Sequence, residues 1–292
     1  MHAILAALLT LTQPTLELKT QDDLIQTEVL TEPTARQTYE PPHTQPRYTD
    51  RVLAFDGLDD HATVPAAPSL AYPGQGGWTI ELWVKPIVYP TSETAILVQE
   101  SINVPGHDPY SIRAYPTHFA FRVDGRHGKS DELRFDLPLG VWSHVAAVYD
   151  ADGHHHTMAV YVNGDLLDRR DTPVHMETRQ DPIRLGNVGR EYNQPYFTGL
   201  LNNVRLWKRA LTGTELAEAM AGQFRPLVFD LVLNLTFDDN SDLSPITQDR
   251  SPYDNHALLG DPISSDNHVA PIRVLRQHHD AIETNPHAGS SR

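Results

Sequence analysis

Turn-forming residues divide the central part of this chain into short hydrophobic runs. Residues 78–84 alternate, so that large apolar side chains occupy every second position, which is the side-chain period of a β-strand. Similar runs follow at intervals of about 8–15 residues between Gly, Pro, Asp and Asn, a pattern typical of antiparallel sandwiches. The pair Asn163-Gly164 is a strong hairpin signal. The sequence therefore predicts an all-β fold with two packed antiparallel sheets.

One short helix is predicted after these runs. Thr212 can cap it and Glu215 follows three residues later, which is the spacing of a capping box. Gly222 and Pro226 would end it. Its apolar face would consist of Leu216, Ala219 and Met220. A last alternating strand is predicted over residues 227–237.

The composition excludes several classes of protein. The 292 residues include no cysteine, so a disulfide scaffold, a cysteine nucleophile and a thiolate-held metal centre are excluded. The net charge of −15 makes nucleic acid a poor partner, because phosphate contact requires local positive charge. No apolar run approaches the roughly 20 residues that a membrane helix needs, so no membrane span is predicted.

Several fragments of the chain follow one another in a familiar order. They are LAFDGLDDHATVP (53–65), TIELWVKP (79–86), WSHVA (142–146), AVYVNG (159–164), LGN (185–187), FTG (197–199) and VRLWKRALT (204–212). This series resembles the laminin-G-like, concanavalin A-like jelly-roll family of bacterial extracellular proteins over roughly residues 51–221. The resemblance implies a jelly-roll arrangement of the two sheets, with one short helix and disordered flanks.

The resemblance and the composition together divide the chain. Residues 3–11 are apolar, like the core of a secretory signal, which favours a secreted or cell-surface protein; the alternatives are a ragged gene start or a piece cut from a longer protein. Thr, Glu, Gln and Pro dominate the segment that follows, which favours disorder. The predicted divisions are a signal peptide (1–13), a disordered linker (14–50), the jelly roll (51–225), an extra strand or truncated repeat (226–262) and a flexible tail (263–292).

The aromatic residues inside the strand patterns are expected to form the core. We expect them to pack the two sheets together, and we expect His144 to be a structural histidine with satisfied hydrogen bonds. These aromatic residues are Phe55, Trp83, Trp142, Tyr161 and Trp207.

An aspartate-rich turn is the candidate metal site. Asp56, Asp59 and Asp60 lie within five residues at a strand end, and calcium takes six to eight oxygen ligands from carboxylates and carbonyls. The resemblance implies a calcium ion where this turn meets the segment before the last core strand. Asn202 and Asn203 stand there in place of the two acids of the family pattern, which keeps carbonyl donors and loses two charges. The alternative is a tight turn followed by a solvated loop.

Carbohydrate binding is predicted to use aromatic faces and planar polar groups on loops. Ring faces stack on sugar C–H faces, while amide and guanidinium groups bind hydroxyls. The alternative is that half of the tyrosines are half-buried edge residues. The candidate ligand-binding residues are Tyr110, Tyr115, Arg190, Tyr192, Asn193 and Tyr196.

The motifs of the common enzyme classes are missing from the sequence. There is no Glu-x-Asp-x-x-Glu glucanase string, P-loop, Gly-x-Ser-x-Gly or His-Glu-x-x-His. With the resemblance, this predicts a noncatalytic extracellular module that binds a glycan or cell-surface polymer, with possible calcium dependence. The alternatives are a structural or adhesive spacer of a multi-domain surface protein, and an accessory domain of a polysaccharide hydrolase.

Overall fold

The computed structural model describes residues 51–100, 108–152, 155–188, 195–223, 229–238 and 244–260, and the backbone of 272–275; the side chains of Arg126 and Asp152 are not included. All of these residues belong to one compact unit, Pro41–Arg292. The predictions for residues 1–13 and 14–50, and for most of 263–292, fall outside the described residues.

The described part of the chain forms strands and one short helix, joined mostly by turns. The strands are β1 (Arg51–Asp56), β2 (Ala62–Val64), β3 (Trp78–Pro86), β4 (Thr94–Gln99), β5 (Tyr110–Ala114), β6 (Phe119–Asp124), β7 (Ser130–Phe135), β8 (Ser143–Asp152), β9 (His155–Val162), β10 (Asp165–Asp171), β11 (Ile183–Leu185), β12 (Thr198–Trp207), β13 (Leu231–Leu235), β14 (Ile246–Thr247), β15 (Ala257–Leu259) and β16 (Ile272–Leu275), and the helix is α1 (Gly213–Met220).

The strands form two antiparallel sheets, which confirms the predicted two-sheet sandwich. Sheet A has the order β10-β9-β8-β3-β12-β1-β16, with β13 also paired to β12. Sheet B has the order β14-β15-β2-β11-β4-β5-β6-β7. The hairpin signal is also confirmed, since Asn163 and Gly164 take φ values of 54° and 88° between β9 and β10, as a primed hairpin turn requires.

The segment after the helix completes both sheets. One edge of β12 pairs with β1 through Thr198–Leu201 and with β13 through Val204–Trp207, so β13 continues the line of β1. The short strands β14 and β15 pair with each other and extend sheet B beside β2. The described residues of segment 226–262 therefore belong to the same sandwich as the jelly roll.

The space between the sheets is filled by side chains from alternate strand positions. Trp78 is 1% exposed and Tyr110 fully buried, and their ring centroids lie 5.2 Å apart. Of the five aromatic residues expected there, Phe55 alone packs in this core. The other four lie on the opposite face of sheet A, in two clusters that include α1 residues. The prediction failed for those four because α1 covers the second face, so both sets of alternating positions are buried.

Helix α1 has the predicted capping box, in which Thr212 and Glu215 exchange side-chain and backbone hydrogen bonds. Its buried residues are the predicted Leu216, Ala219 and Met220. With eight residues it is far shorter than a bilayer crossing, and the described chain has no helix long and apolar enough for one.

A buried polar network lies between sheet A and α1. The Glu81 carboxylate is fully buried and accepts hydrogen bonds from Arg205 Nη1 and Trp207 Nε1, each at 3.1 Å. His144 Nε2 lies 3.1 Å from its other oxygen, as expected of a structural histidine. Burial alone would raise the pKa of Glu81, but the charge of Arg205 and the hydrogen bond with His144 outweigh it and lower the pKa. The network is thus an ionised carboxylate with all its partners present.

Candidate functional site

The candidate metal site is the turn of residues 56–60, named here the aspartate turn. Each of its three aspartates has a potential ligand atom within 4.8 Å of the others. The turn is held by two internal hydrogen bonds: Asp56 N donates to Asp60 Oδ2 and Leu58 N donates to Asp56 Oδ1, both at 2.8 Å. A Cβ atom on Gly57 would lie 2.0 Å from Thr198 Oγ1, so glycine lets the turn sit directly on β12.

Asp60 is the electrostatic centre of the aspartate turn. It is 5% exposed, and no Lys or Arg within the described ranges forms an ion pair with it. Burial raises its pKa to about 7; the backbone hydrogen bond from Asp56 opposes this increase, and the charges of Asp56 and Asp59 add to it. This environment favours either protonation of the carboxyl group or the binding of a cation by it.

A buried asparagine lies beside the aspartate turn. Gly186 is packed so closely that a Cβ on it would lie 2.9 Å from the Asp60 carbonyl oxygen. The next residue, Asn187, is 1% exposed, and within the described residues neither its side-chain oxygen nor its nitrogen has a hydrogen-bond partner. Buried amides are nearly always hydrogen-bonded, so the Asn187 amide, one residue after Gly186, is a candidate for binding a ligand. Sequence analysis missed this residue, although it belongs to the quoted Leu-Gly-Asn fragment.

The structure does not bring Asn202 to the aspartate turn. Thr198 pairs with Asp56, and Asn202 lies four residues farther along β12, about 13 Å away at the rise of a strand. Asn202 instead pairs with Trp83, is 1% exposed and accepts a hydrogen bond from the Asn203 backbone. The β12 residue at the turn is therefore Thr198, and Asn202 is corrected to a structural position.

Three predicted ligand-binding residues, Arg190, Tyr192 and Asn193, lie outside the described residues. The connection that carries them begins and ends at the aspartate turn. It leaves from Gly186, beside Asp60, and returns at Thr198, opposite Asp56. The Gly186 carbonyl also accepts a hydrogen bond from Phe197 N at 2.8 Å. The described residues on either side of this connection, Gly186 and Thr198, therefore lie at the candidate metal site.

The predicted residue Tyr115 lies at the same end of sheet B. It directly follows β5, whose last residue, Ala114, pairs with the first residue of β4, and β4 is the neighbour of β11. The aspartate turn precedes β2 on the other side of β11, so the turn and Tyr115 are separated across the sheet by three strand spacings, or about 14 Å. We call this end of the sheet, which carries the aspartate turn and Tyr115, the loop end of sheet B.

The Tyr115 ring is held in place by two neighbouring side chains. Its ring is stacked on His118, with centroids 4.6 Å apart and planes 8° apart, and its hydroxyl donates to Glu132 Oε2 at 3.4 Å. Burial, with the charges of Glu93 and Glu132, raises its pKa to about 12. The ring is thus a neutral, half-buried platform that its neighbours hold in one orientation.

The remaining two tyrosine candidates differ from Tyr115. Tyr110 is fully buried between the sheets and donates its hydroxyl hydrogen to the Leu70 carbonyl at 3.1 Å, so it presents no surface to a glycan and is corrected to a core residue. Tyr196 is half-buried next to Phe197, at the returning end of the 187–197 connection, and stays a candidate.

Ion pairs cover the outer face of sheet B next to Tyr115. Arg113 Nη2 lies 2.5 Å from Asp108 Oδ2, and its other terminal nitrogen contacts Glu93. Arg122 Nε lies 2.9 Å from Asp124 Oδ1. Sequence analysis missed this face, although each of β5 and β6 has one Arg between two apolar residues. Guanidinium and carboxylate groups fixed in this way can exchange hydrogen bonds with hydroxyls.

Two antiparallel sheets that pack in this way, with one short helix, form a jelly-roll sandwich. The chain belongs to the concanavalin A-like lectin/glucanases superfamily, whose model matches residues 56–217. None of the curated proteins compared with the chain matches it.

Several solved structures are similar to this one at low sequence identity. A Bacteroides ovatus protein provisionally named as carbohydrate binding is 17% identical with a TM-score of 0.56, over 73% of this chain and 59% of that one. A heptameric SAP-like pentraxin from Limulus polyphemus is 16% identical with a TM-score of 0.49, over 68% of this chain and 95% of that one. The receptor binding domain of botulinum neurotoxin type G is 13% identical with a TM-score of 0.42, over 59% of this chain and 46% of that one. This chain thus spans 59% of the length of the Bacteroides ovatus protein.

Proposed function

We propose that this protein is a noncatalytic carbohydrate-binding module that recognises a glycan at the loop end of sheet B. The observation that carries the proposal is convergence: the aspartate turn, both ends of the 187–197 connection and Tyr115 share one end of one sheet. A stacking platform and the carboxylates that a glycan site uses thus lie at one end of the sheet, about three strand spacings apart. The family and the name of the Bacteroides ovatus protein support the same class of ligand.

The donor set of the aspartate turn fits calcium. Three carboxylates and the unsatisfied Asn187 oxygen are hard donors, and a dication would replace the proton that the environment of Asp60 favours. When bound, calcium would supply positive charge and open coordination positions for sugar hydroxyls. We propose an extracellular setting, where modules of this kind bind calcium with Kd values of about 10⁻⁴–10⁻³ M.

The pairing of the acids supports a binding rather than a catalytic role for the outer face of sheet B. Glycosidases need two carboxyl groups about 5–10 Å apart with contrasting protonation states. Here Asp108, Asp124 and Glu132 each form an ion pair with an arginine. None of these three is therefore an unpaired carboxylate that could act as a nucleophile on this face.

A glycan array of the full chain, in excess calcium and in chelator, tests the proposal. We expect binding that Tyr115→Ala weakens about tenfold or more, because an aromatic ring in a binding site contributes on the order of 1–3 kcal/mol. Tyr253→Ala is the matched control, since Tyr253 lies in the loop between β14 and β15, away from the loop end. Signals no higher than background for every glycan would overturn the proposal and favour the structural spacer.

A further inference from the structure

A cavity lies on the outer face of sheet A, on the opposite sheet of the sandwich from Tyr115. It has a volume of about 180 Å³ and is enclosed by the outer face of β8, β9 and β10 and by the segment that enters α1. The aspartate turn is level with the Pro86 end of β3, whereas this cavity is level with the Trp78 end. The cavity is thus separate from the loop end of sheet B in both sheet and position.

The floor of the cavity is apolar and made of small side chains. Val148 and Ala159 pair across β8 and β9 and both line the cavity. Tyr161 forms one side, with its ring 3.6 Å from where a Cβ on Gly213 would lie. A flat apolar floor with one aromatic side accepts the C–H face of a ring.

Polar groups surround this floor without binding one another. Asp150, Thr157 and Arg169 line the cavity together with Tyr161. Within the described residues, the side chains of these four form no hydrogen bond or ion pair. A carboxylate, a guanidinium group and two hydroxyls therefore face one space with their hydrogen-bonding capacity open.

The wall formed by residues 209–213 is rigid. Thr79 Oγ1 donates to the Arg209 carbonyl at 2.8 Å and accepts from Leu211 N at 3.0 Å. The capping box then fixes Thr212, and Arg209 Nη1 lies 2.7 Å from Glu215 Oε1. A wall held by so many bonds keeps its shape without a ligand, which lowers the entropy lost on binding.

The size and charge of the cavity define the class of ligand. About 180 Å³ is smaller than the roughly 300–1,000 Å³ of pockets for drug-sized molecules, so one small ring fits and an oligomer does not. The lining carries one negative and one positive side chain, Asp150 and Arg169. A ligand with a net charge would therefore gain no net electrostatic attraction from them. Paired donors and acceptors around an apolar floor match a ring with several hydroxyls.

We propose that this cavity is a binding site for a single neutral sugar ring, either a free monosaccharide or the terminal residue of a glycan. The ring lies with its apolar face on Val148 and Ala159. Asp150 accepts hydrogen bonds from its hydroxyls and Arg169 donates to them. The site is independent of the loop end of sheet B, so either proposal can fail while the other stands.

Saturation-transfer NMR of the full chain with free glucose, galactose, mannose and N-acetylglucosamine tests this proposal. We expect transfer to at least one of these sugars, in calcium and in chelator alike. Arg169→Ala should weaken that binding about tenfold or more, because a hydrogen bond to a charged group contributes about 1.5–3 kcal/mol. Arg170→Ala is the matched control, since it removes the same charge from the same strand while Arg170 pairs with Asp131.

A variant that fills the cavity separates binding from folding. Ala159→Leu should abolish transfer by occupying the floor. Should it disturb the fold, Gly213→Ala narrows the same cavity at an ordinary contact distance of 3.6 Å from Tyr161 and adds a helix-favouring residue. Transfer to none of the four sugars, or transfer that Tyr115→Ala removes and the cavity variants leave intact, would overturn the proposal.

Discussion

Two buried carboxylates of this protein, Glu81 and Asp60, have opposite environments. Glu81 is fully buried beneath α1 with Arg205, His144 and Trp207 as partners, and its pKa is lowered. Asp60 is 5% exposed in the aspartate turn beside two further acids, and its pKa is raised to about 7. The two sites are similar in burial and differ in whether the chain itself supplies the positive charge.

The difference separates a structural carboxylate from one suited to a ligand. A buried charge is tolerated when it is paired and hydrogen-bonded, and otherwise a group takes a proton or a cation. Glu81 needs nothing from outside the protein, so its network serves to hold α1 on sheet A. Among the residues that the structure describes, no Lys or Arg pairs with Asp60, which is the expected arrangement where calcium would supply the charge.

The largest expected effect is the removal of charge from the Glu81 network. Glu81→Gln leaves Arg205 buried without its counter-charge, and such a change costs about 3–5 kcal/mol of unfolding free energy. Urea unfolding measures it. Glu132→Gln is the control, because an ion pair that is more exposed contributes only about 0–1 kcal/mol. Equal losses of unfolding free energy in the two variants would show that Glu81 contributes no more to stability than the more exposed Glu132.

The second-largest expected effect is the change in unfolding free energy with pH, measured in the presence of chelator. The raised pKa of Asp60 stabilises the fold below about pH 4, and this contribution is lost as pH rises to about 7, at a cost on the order of 2–4 kcal/mol. The lowered pKa of Glu81 has the opposite sign, with stability lost on acidification below its unfolded value. Unfolding of wild type and Asp60→Asn from pH 4 to pH 8 isolates the first contribution. If the unfolding free energy of Asp60→Asn depends on pH as that of the wild type does, Asp60 is not the source of the pH dependence.

Calcium should then stabilise the wild type by mass action. At a concentration about 100 times Kd the gain is about 2.7 kcal/mol, and it should be largest above pH 7, where no proton competes for Asp60. Thermal unfolding with and without calcium measures it, with Asp59→Asn as the binding-deficient variant. A melting temperature that is the same in calcium and in chelator would exclude the metal site.

The smallest expected effect concerns the helix that covers Glu81. Thr212→Ala removes the capping box and should cost about 1 kcal/mol, while the pH profile due to Asp60 should not change. Measuring both in one denaturation series distinguishes the two regions. A changed pH profile in this variant would show that they are coupled.

Local features of this molecule could be predicted from sequence, and features set by strand register could not. The aspartate turn was recognisable because its three acids lie within five residues, and the helix because its cap and apolar face are local. Asn202 was misplaced because the residue of β12 that meets the turn depends on pairing, and β12 shifts register after Asn202, where Asn203 takes a φ of 48°. Trp83 and Trp207 were assigned to the wrong face because alternation does not reveal that a helix covers the second one.

Strand β13 limits how far the protein can be truncated at its C-terminal side for experiments. A fragment that stopped at residue 217, where the family match ends, would lack β13 and would leave the Val204–Trp207 edge of β12 without its pairing partner. It would also lose β15 from the edge of β2. Exposed edges of this kind recruit other chains, and β16 pairs with the free edge of β1, so an expression clone should run at least to Leu275 to give a monodisperse sample.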